Sequence, residues 1–235
     1  MTLFETISKR RSVRKFIFED LDAQTLDIIM NALNDIICKV PFNGVKVTFK
    51  IEYSSNIANY KAPYYILAYC QDTPLNHLYI GYVLAQMDLF IQSIGLGSLF
   101  LGIAQPQNKE YKENYAMMLG FGKTLVPCRK SSTDFNRLSV QVISDSNSLF
   151  FEIARLAPSA MNNQPWKLSV QNDNEFVITY YGRGILKKLL FKKMSKIDLG
   201  IMIKYLEIIL FQNSISIKKI IPQINRNHIQ INILT

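Results

Sequence analysis

The 235-residue chain is poor in the side chains that most often carry metal or acid–base chemistry. It has two histidines, His77 and His228, neither with metal-ligand company, so no metal centre is expected and both read as structural or solvated. Its three cysteines, Cys38, Cys70 and Cys128, are odd in number, widely spaced and form no CxxC pair. A disulfide framework is therefore excluded, and free thiols in a reducing compartment, serving as small buried hydrophobes, are expected. Charge begins at Glu5 with no long apolar run before it, so no secretory signal is expected and the cytoplasm is the default location. No low-complexity linker divides the chain. With 49% apolar and only 19% charged residues it is expected to fold as one compact unit around a sizeable core.

The net charge of +9 raises nucleic acid as a partner. Lys187, Lys188, Lys192, Lys193 and Lys196, however, interleave with Leu189, Leu190, Phe191 and Met194 at helical spacing, which describes a solvated face over an apolar one. With no recognisable nucleic-acid module, no such partner is expected. A membrane span is the other class to weigh, because Asp88 is the one formal charge between Leu78 and Ala104. The length would suffice, but Asp88 near the middle costs about 2.5 to 3.5 kcal/mol on the insertion scale, and Gln86, Gln92, Gly95 and Gly97 add to the objection. A helix buried on most sides, then a turn and a strand, is expected. Leu199 to Phe211 has the same character, with Lys204 and Glu207 as a narrow polar stripe, so the two helices are expected to pack together inside the core.

Elsewhere, residues 3 to 9 read as a short helix. Leu26, Ile29, Met30, Leu33, Ile36, Ile37 and Val40 keep helical spacing until Pro41 and Gly44 close the run. Val45, Val47, Phe49 and Ile51 alternate as a half-buried strand, and Tyr64 to Tyr69 is continuous enough for a central one. A helix over Leu149 to Leu156 and strands over 167–170, 176–181 and 229–234 complete the reading. Sliding the chain by 119 residues aligns Val47 to Ile51 with Trp166 to Val170, Asn43 with Asn162, Gly81 with Gly200, Met87 with Leu206 and Asp88 with Glu207. The same offset sets Arg129 to Phe135 under Arg10 to Phe16. That period is too long for a solenoid, so two related halves, 1–119 and 120–235, facing each other are expected.

Two strings carry the chemistry. Arg10, Arg11, Ser12, Val13, Arg14, Lys15 and Phe16 offer a hydroxyl, forked guanidinium groups and backbone amides, the donor set a phosphate dianion prefers. Ala157 to Trp166, reading APSAMNNQPW, is a turn of residues that tolerate unusual dihedrals and present short polar side chains, leading into a strand. Alone, the first equally describes a charged loop and the second a structural turn with Trp166 as core. Two glycine-bearing stretches are set aside. Gly122, Lys123, Thr124 lacks the leading glycine of a phosphate-binding loop because Met117 stands there, and Gly95, Gly97 and Gly102 miss the dinucleotide spacing because Phe100 replaces the third glycine. These glycines are read as turns.

The rear string, with Ala154, Arg155 and Leu156 before it, resembles a hallmark of the nitroreductase superfamily of FMN flavoproteins, and Arg10 to Phe16 resembles that superfamily's N-terminal phosphate motif. The order departs from the usual one, in which both motifs lie near the start of a homodimer-forming chain. Here Lys39, Val40, Pro41, Phe42 and Asn43 occupy the place where the Pro158 to Asn162 pattern would fall in the first half. The chain therefore looks like a branch with two modules fused. The resemblance implies an α+β fold made of two half-modules, each a mixed sheet with packed helices, forming an intramolecular pseudo-dimer and functioning as a monomer. It implies one FMN site, with Arg10, Ser12 and Arg11 on the phosphate, Arg14 beside the pyrimidine side of the ring, and Pro158, Ser159, Ala160 and Asn162 closing over it. An amide at Leu101 and Gly102 would serve flavin N5, while Ile220 and Ile221 fill the degenerate counterpart. The implied activity is NAD(P)H oxidoreduction by ping-pong hydride transfer through N5 to a small nitroaromatic or quinone-like acceptor, with NADH or NADPH as co-substrate. No side chain is required as a catalytic acid or base. An FMN-binding storage or sensor protein without turnover is the alternative.

Overall fold

A computed structural model of the chain describes residues 1–38, 42–53, 62–107, 109–146, 148–171, 175–182, 192–225 and 229–235. Lys39 to Pro41, Lys187 to Phe191 and His228 lie outside the described residues. Helix α1 (Leu3–Ile7) starts at a capping box in which Thr2 and Glu5 exchange side-chain and backbone hydrogen bonds, and it ends at Ser8, directly before the first string. Helix α2 (Ala23–Cys38) carries the predicted periodic run, with Ile29, Leu33 and Ile36 buried. Gly44, at φ 79°, makes the turn into β1 (Val47–Tyr53). Strand β2 (Tyr64–Cys70) follows, then helix α3 (Pro74–Ser93), opened by the Thr73 cap and Pro74. Gly95, at φ 89°, turns the chain into β3 (Gly97–Phe100), and β4 (Tyr115–Gly122) completes the first sheet.

The second half holds the short helices α4 (Val140–Ile143) and α5 (Leu149–Ala154), strands β5 (Trp166–Gln171) and β6 (Glu175–Tyr180), the long helix α6 (Lys192–Gln212), and strands β7 (Lys219–Ile224) and β8 (Ile229–Leu234). The sheet orders are β1-β2-β4-β3 and β5-β6-β8-β7. Every ladder is antiparallel, so the expected mixed sheets are corrected. The reason is topological: α3 joins two strands that run the same way, but β4 inserts between them and pairs antiparallel with both. Parallel pairing survives as two isolated bridges, Ser12 with Ser98 at the β3 edge and Ser144 with Leu168 at the β5 edge.

One apolar cluster spans both sheets, from Ile66 and Leu119 to Ile178 and Ile231. Its axis is the crossing of α3 and α6, where two glycines let the backbones approach. A Cβ on Gly81 would lie 1.9 Å from the Ile197 carbonyl oxygen, and one on Gly200 would lie 1.9 Å from that of Leu78. The two contacts are reciprocal at the offset found in the sequence, which also separates the first residues of β1 and β5. Among the described residues no helix is long and apolar enough to cross a membrane.

The narrow polar stripe of α6 lies inside: Lys204 is buried, pairs with Glu207 and lies 3.7 Å from the Tyr82 ring centroid, while the Tyr82 hydroxyl donates to Glu207 at 2.7 Å. Burial of Lys204 beside an aromatic face is sustained by that cation–π contact and ion pair. Two expectations change: Cys70, at the end of β2, is half-buried, and Cys128, in the segment that follows β4, is exposed. Of the glycines read as turns, Gly97 and Gly122 are strand residues, paired with each other between β3 and β4.

Candidate functional site

The front string is laid onto the edge of the first sheet. The Val13 amide donates to the Ser98 carbonyl at 2.9 Å, and the Arg11 amide donates to Gln92 Oε1 at 2.8 Å. Gln92 Nε2 in turn donates to Ser98 Oγ at 2.7 Å, and Ser98 Oγ donates to Asp88 Oδ1 at 2.6 Å. Asp88, the charge that argued against a membrane span, is thus the centre of a buried network. Its chief partner is Arg10, which is 1% exposed with Nε 2.8 Å from Asp88 Oδ2. Arg10 reaches Ser12 Oγ only through Nη2, at 3.4 Å. Arg10 therefore anchors the string rather than standing free as a clamp. Arg11 and Ser12 are half-buried, and Arg14 is exposed.

The rear string folds into a strained turn. After α5 the chain reaches Pro158, and Ser159 caps a 3₁₀ turn over Ala160–Asn162. Met161, Asn162 and Gln164 all adopt left-handed φ, at 50°, 54° and 47°. Such residues cost on the order of 1 to 3 kcal/mol each and persist only where their surroundings over-determine them. Here Ser159 Oγ accepts from the Gln164 amide at 2.8 Å, Gln164 Oε1 accepts from the Leu138 amide at 3.0 Å, and Asp198 Oδ1 on α6 accepts from the Ala160 amide at 3.0 Å. Burial pushes the Asp198 carboxyl up to about 8, with the Ala160 hydrogen bond pulling the other way.

Arg137 fastens the rear turn. Its Nε donates to the Ala157 carbonyl at 3.1 Å and its Nη1 to Asn162 Oδ1 at 2.6 Å, so it holds both ends of the rear turn. Burial first, and then the Arg10 guanidinium, lower it to about 10, with Arg129 adding to the repulsion. Arg129 donates to the Arg10 carbonyl and is itself lowered by burial, Arg10 and Arg11. The Phe135 ring is shared by the two guanidinium groups, 4.1 Å from that of Arg129 and 5.7 Å from that of Arg137. Asp88 balances Arg10, and Asp134 acts on Arg129. Among the described residues no carboxylate lies within 4.0 Å of Arg137. This cluster of guanidinium groups beside a hydroxyl is a donor set that fits a phosphate dianion.

Arg129, which the offset sets under Arg10, lies against Arg10 itself. Residues 123–129 run beside the front string: the Ile17 amide donates to Lys123 O, Thr124 Oγ1 to Lys15 O, and the Arg129 amide to Lys9 O. That pairing delivers Arg129 to Arg10. Of the other expected pair, the Leu101 amide is committed to the Met118 carbonyl at 3.0 Å, and Gly102 stands next to it. A Cβ there would lie 2.7 Å from Met194 Sδ. Met194 and Asp198 are one turn apart on the same face of α6, which thereby holds Gly102 of the front half and Ala160 of the rear half side by side. Ile220 is buried and Ile221 half-buried in β7. Sequence reasoning missed Arg137, for which no motif exists. It also missed Asp198, whose signal was a lone acid in the otherwise apolar run Ile197 to Ile203.

The chain is similar to several solved proteins. A putative nitroreductase from Thermotoga maritima MSB8 superposes over 100% of this chain and 94% of its own, at 21% identity and a TM-score of 0.73. A nitroreductase family protein from Clostridium difficile 630 covers 63% of this chain and 100% of its own, at 18% identity and a TM-score of 0.50. An FMN-dependent nitroreductase from Clostridium difficile R20291 covers 58% of this chain and 95% of its own, at 18% identity and a TM-score of 0.42. No curated protein matches. Residues 2–209 match the model of the family described as "Putative TM nitroreductase", and the chain belongs to that nitroreductase family.

Proposed function

We propose that the chain is an FMN-dependent NAD(P)H oxidoreductase with one flavin site, built between half-modules 1–119 and 120–235 that form a pseudo-dimer within a single, monomeric chain. The observation that carries this is Arg137. It is fastened to the rear turn, within electrostatic reach of Arg10 in the front string, and has no carboxylate partner among the described residues. A half-buried guanidinium beside like charges is stabilised when an anion arrives.

In this reading Arg137, Arg11 and the Ser12 hydroxyl hold the phosphate, while Arg10 holds the string to Asp88. Exposed Arg14 approaches the pyrimidine side of the ring, where a cation stabilises charge on O2. Pro158, Ser159, Ala160 and Asn162 flank the ring, and Gly102 permits close backbone approach. When bound, FMN supplies hydride chemistry between a reduced nicotinamide and a nitroaromatic or quinone-like acceptor. The reciprocal glycine contacts and the matching strand orders support the fused-pair reading. The packing of Arg129 onto Arg10 supports one site rather than two.

The test is an absorbance spectrum of purified protein after loading with FMN and gel filtration as a monomer. Near one flavin per chain is expected, bleached by NADH or NADPH and restored by a nitroaromatic. Two flavins per chain, or none, would refute the single composite site. Colour without bleaching would leave binding and remove the enzymatic activity.

A further inference from the structure

The rear turn is strained, and one of the groups that hold it against the rest of the molecule is a buried acid. Asp198 is 4% exposed. Its Oδ1 takes the Ala160 amide, and its Oδ2 is buried without a hydrogen-bond partner among the described residues. Two further buried polar atoms without partners, Ser195 Oγ one turn earlier on α6 and Asn163 Oδ1 just past the turn, flank the same contact. We propose that Asp198 is the positioning residue of the rear turn: its neutral carboxyl latches Ala160 to α6 and so keeps Pro158 to Asn162 over the ligand, and loss of its proton releases them.

The chemistry follows from the count of donors. A neutral carboxyl needs one donor to its carbonyl oxygen, which the Ala160 amide supplies. A carboxylate needs several, and among the described residues the Ala160 amide is its one hydrogen-bond donor. The charged or titratable groups on the elements packed against α6 are Glu5 of α1, His77, Tyr79, Tyr82 and Asp88 of α3, Glu152 of α5, and Glu175 and Tyr180 of β6, and Arg10, Arg129 and Arg137 act on α6 at Tyr205. None of them, nor Lys193, Lys196, Lys204, Tyr205 or Glu207 of α6 itself, acts on the Asp198 carboxyl, which responds to burial and to Ala160. Ionisation is therefore relieved by movement rather than by a counter-ion, and the side that can move is the strained one. Met161 at the crest of the turn is 78% exposed and has little packing to lose.

The flavin arm of this inference rests on the reading above; the arm without flavin does not. Trp166, the single tryptophan, is fully buried four residues after Asn162, at the start of β5, and reports on the turn directly. Its emission, excited at 295 nm in flavin-free protein between pH 6.5 and 9.5, is expected to shift through one proton's titration near pH 8. Asp198→Asn, which keeps the acceptor for Ala160 and cannot ionise, is expected to show no such shift. With FMN added, the wild-type Kd should weaken about tenfold for each pH unit above that midpoint, since the competent fraction falls by that factor. The Asn variant should hold a constant Kd. A wild type with no transition, or an Asn variant that keeps the transition or the pH slope, overturns the proposal. A transition lost in Asp198→Asn together with no FMN binding at any pH supports the latch and refutes the flavin reading.

Discussion

Replacing Gly81 by alanine adds one carbon where the backbone of α6 already stands. The new Cβ would lie 1.9 Å from Ile197 O, 2.8 Å from its carbonyl carbon and 3.0 Å from its Cα. Contacts under 3.0 Å are not tolerated, so α3 and α6 would have to part by more than an ångström. No flexible side chain can yield in their place, because every atom met is backbone. Overpacking of this kind costs about 1 to 3 kcal/mol, and the rigid case belongs at the upper end. Helix propensity acts in the opposite sense, favouring alanine over glycine by about 0.8 to 1.0 kcal/mol. The sum is a destabilisation of about 2 kcal/mol, which in a chain of this size lowers Tm by roughly 4 to 8 °C. Gly200→Ala, meeting Leu78 O at the same distance, should cost about as much. The double variant should cost less than the sum, since one separation of the helices relieves both clashes. Calorimetry with urea unfolding measures all three. A Gly81→Ala variant as stable as the wild type, or more so, would mean that propensity decides and that the helices do not cross at these glycines.

Arg137→Ala should weaken FMN binding by tenfold or more, the worth of a charge-assisted hydrogen bond at about 1.5 to 3 kcal/mol; unchanged affinity in a fluorescence titration would remove Arg137 from the site. Arg10→Ala leaves Asp88 buried without its cation and should cost about 3 to 5 kcal/mol of stability before any effect on flavin is considered, so a wild-type urea midpoint would contradict the anchoring role. The stability profile with pH has two opposed contributors. Burial lowers His77 to about 4, so the unfolded chain binds its proton first, and the stability it lends above pH 6.5 is lost as pH falls towards 4. Asp198 keeps its proton up to about 8 when folded and releases it near 3.8 when unfolded, so the stability it lends at low pH is lost as pH rises towards 8. The two offset between pH 4 and 6.5, and Asp198 alone acts from there to 8. Stability should fall across that upper interval by about 2 kcal/mol in the wild type and stay level in Asp198→Asn. A rise over the same interval would contradict the sign.

Local pattern carried the elements well where one face or both faces are apolar. The alternation at Val47 to Ile51, the continuous run at Tyr64 to Tyr69 and the nearly uncharged stretch around Asp88 became β1, β2 and α3 as read, since burial of those side chains is set by periods of two and 3.6 along the chain. The offset that aligned Gly81 with Gly200 also relates the two glycines at which α3 and α6 approach each other. What the offset did not carry is the placement of Arg129. A match of residue types holds no information about which strand edge a connecting segment will follow, and residues 123–129 follow the front string.

The sequence by itself determined the class of fold, the two strings proposed to make the site, and the family they resemble, because those are properties of neighbouring residues. Only the tertiary structure decided which cation meets a carboxylate and which is held by neutral acceptors. Arg10 meets Asp88 across 78 residues, Arg137 meets Asn162 across 25, and Ala160 meets Asp198 across 38. Coulomb interaction and desolvation act through space over a few ångströms, so the charge state and task of each group were fixed only when α3 and α6 crossed and brought those distant segments together.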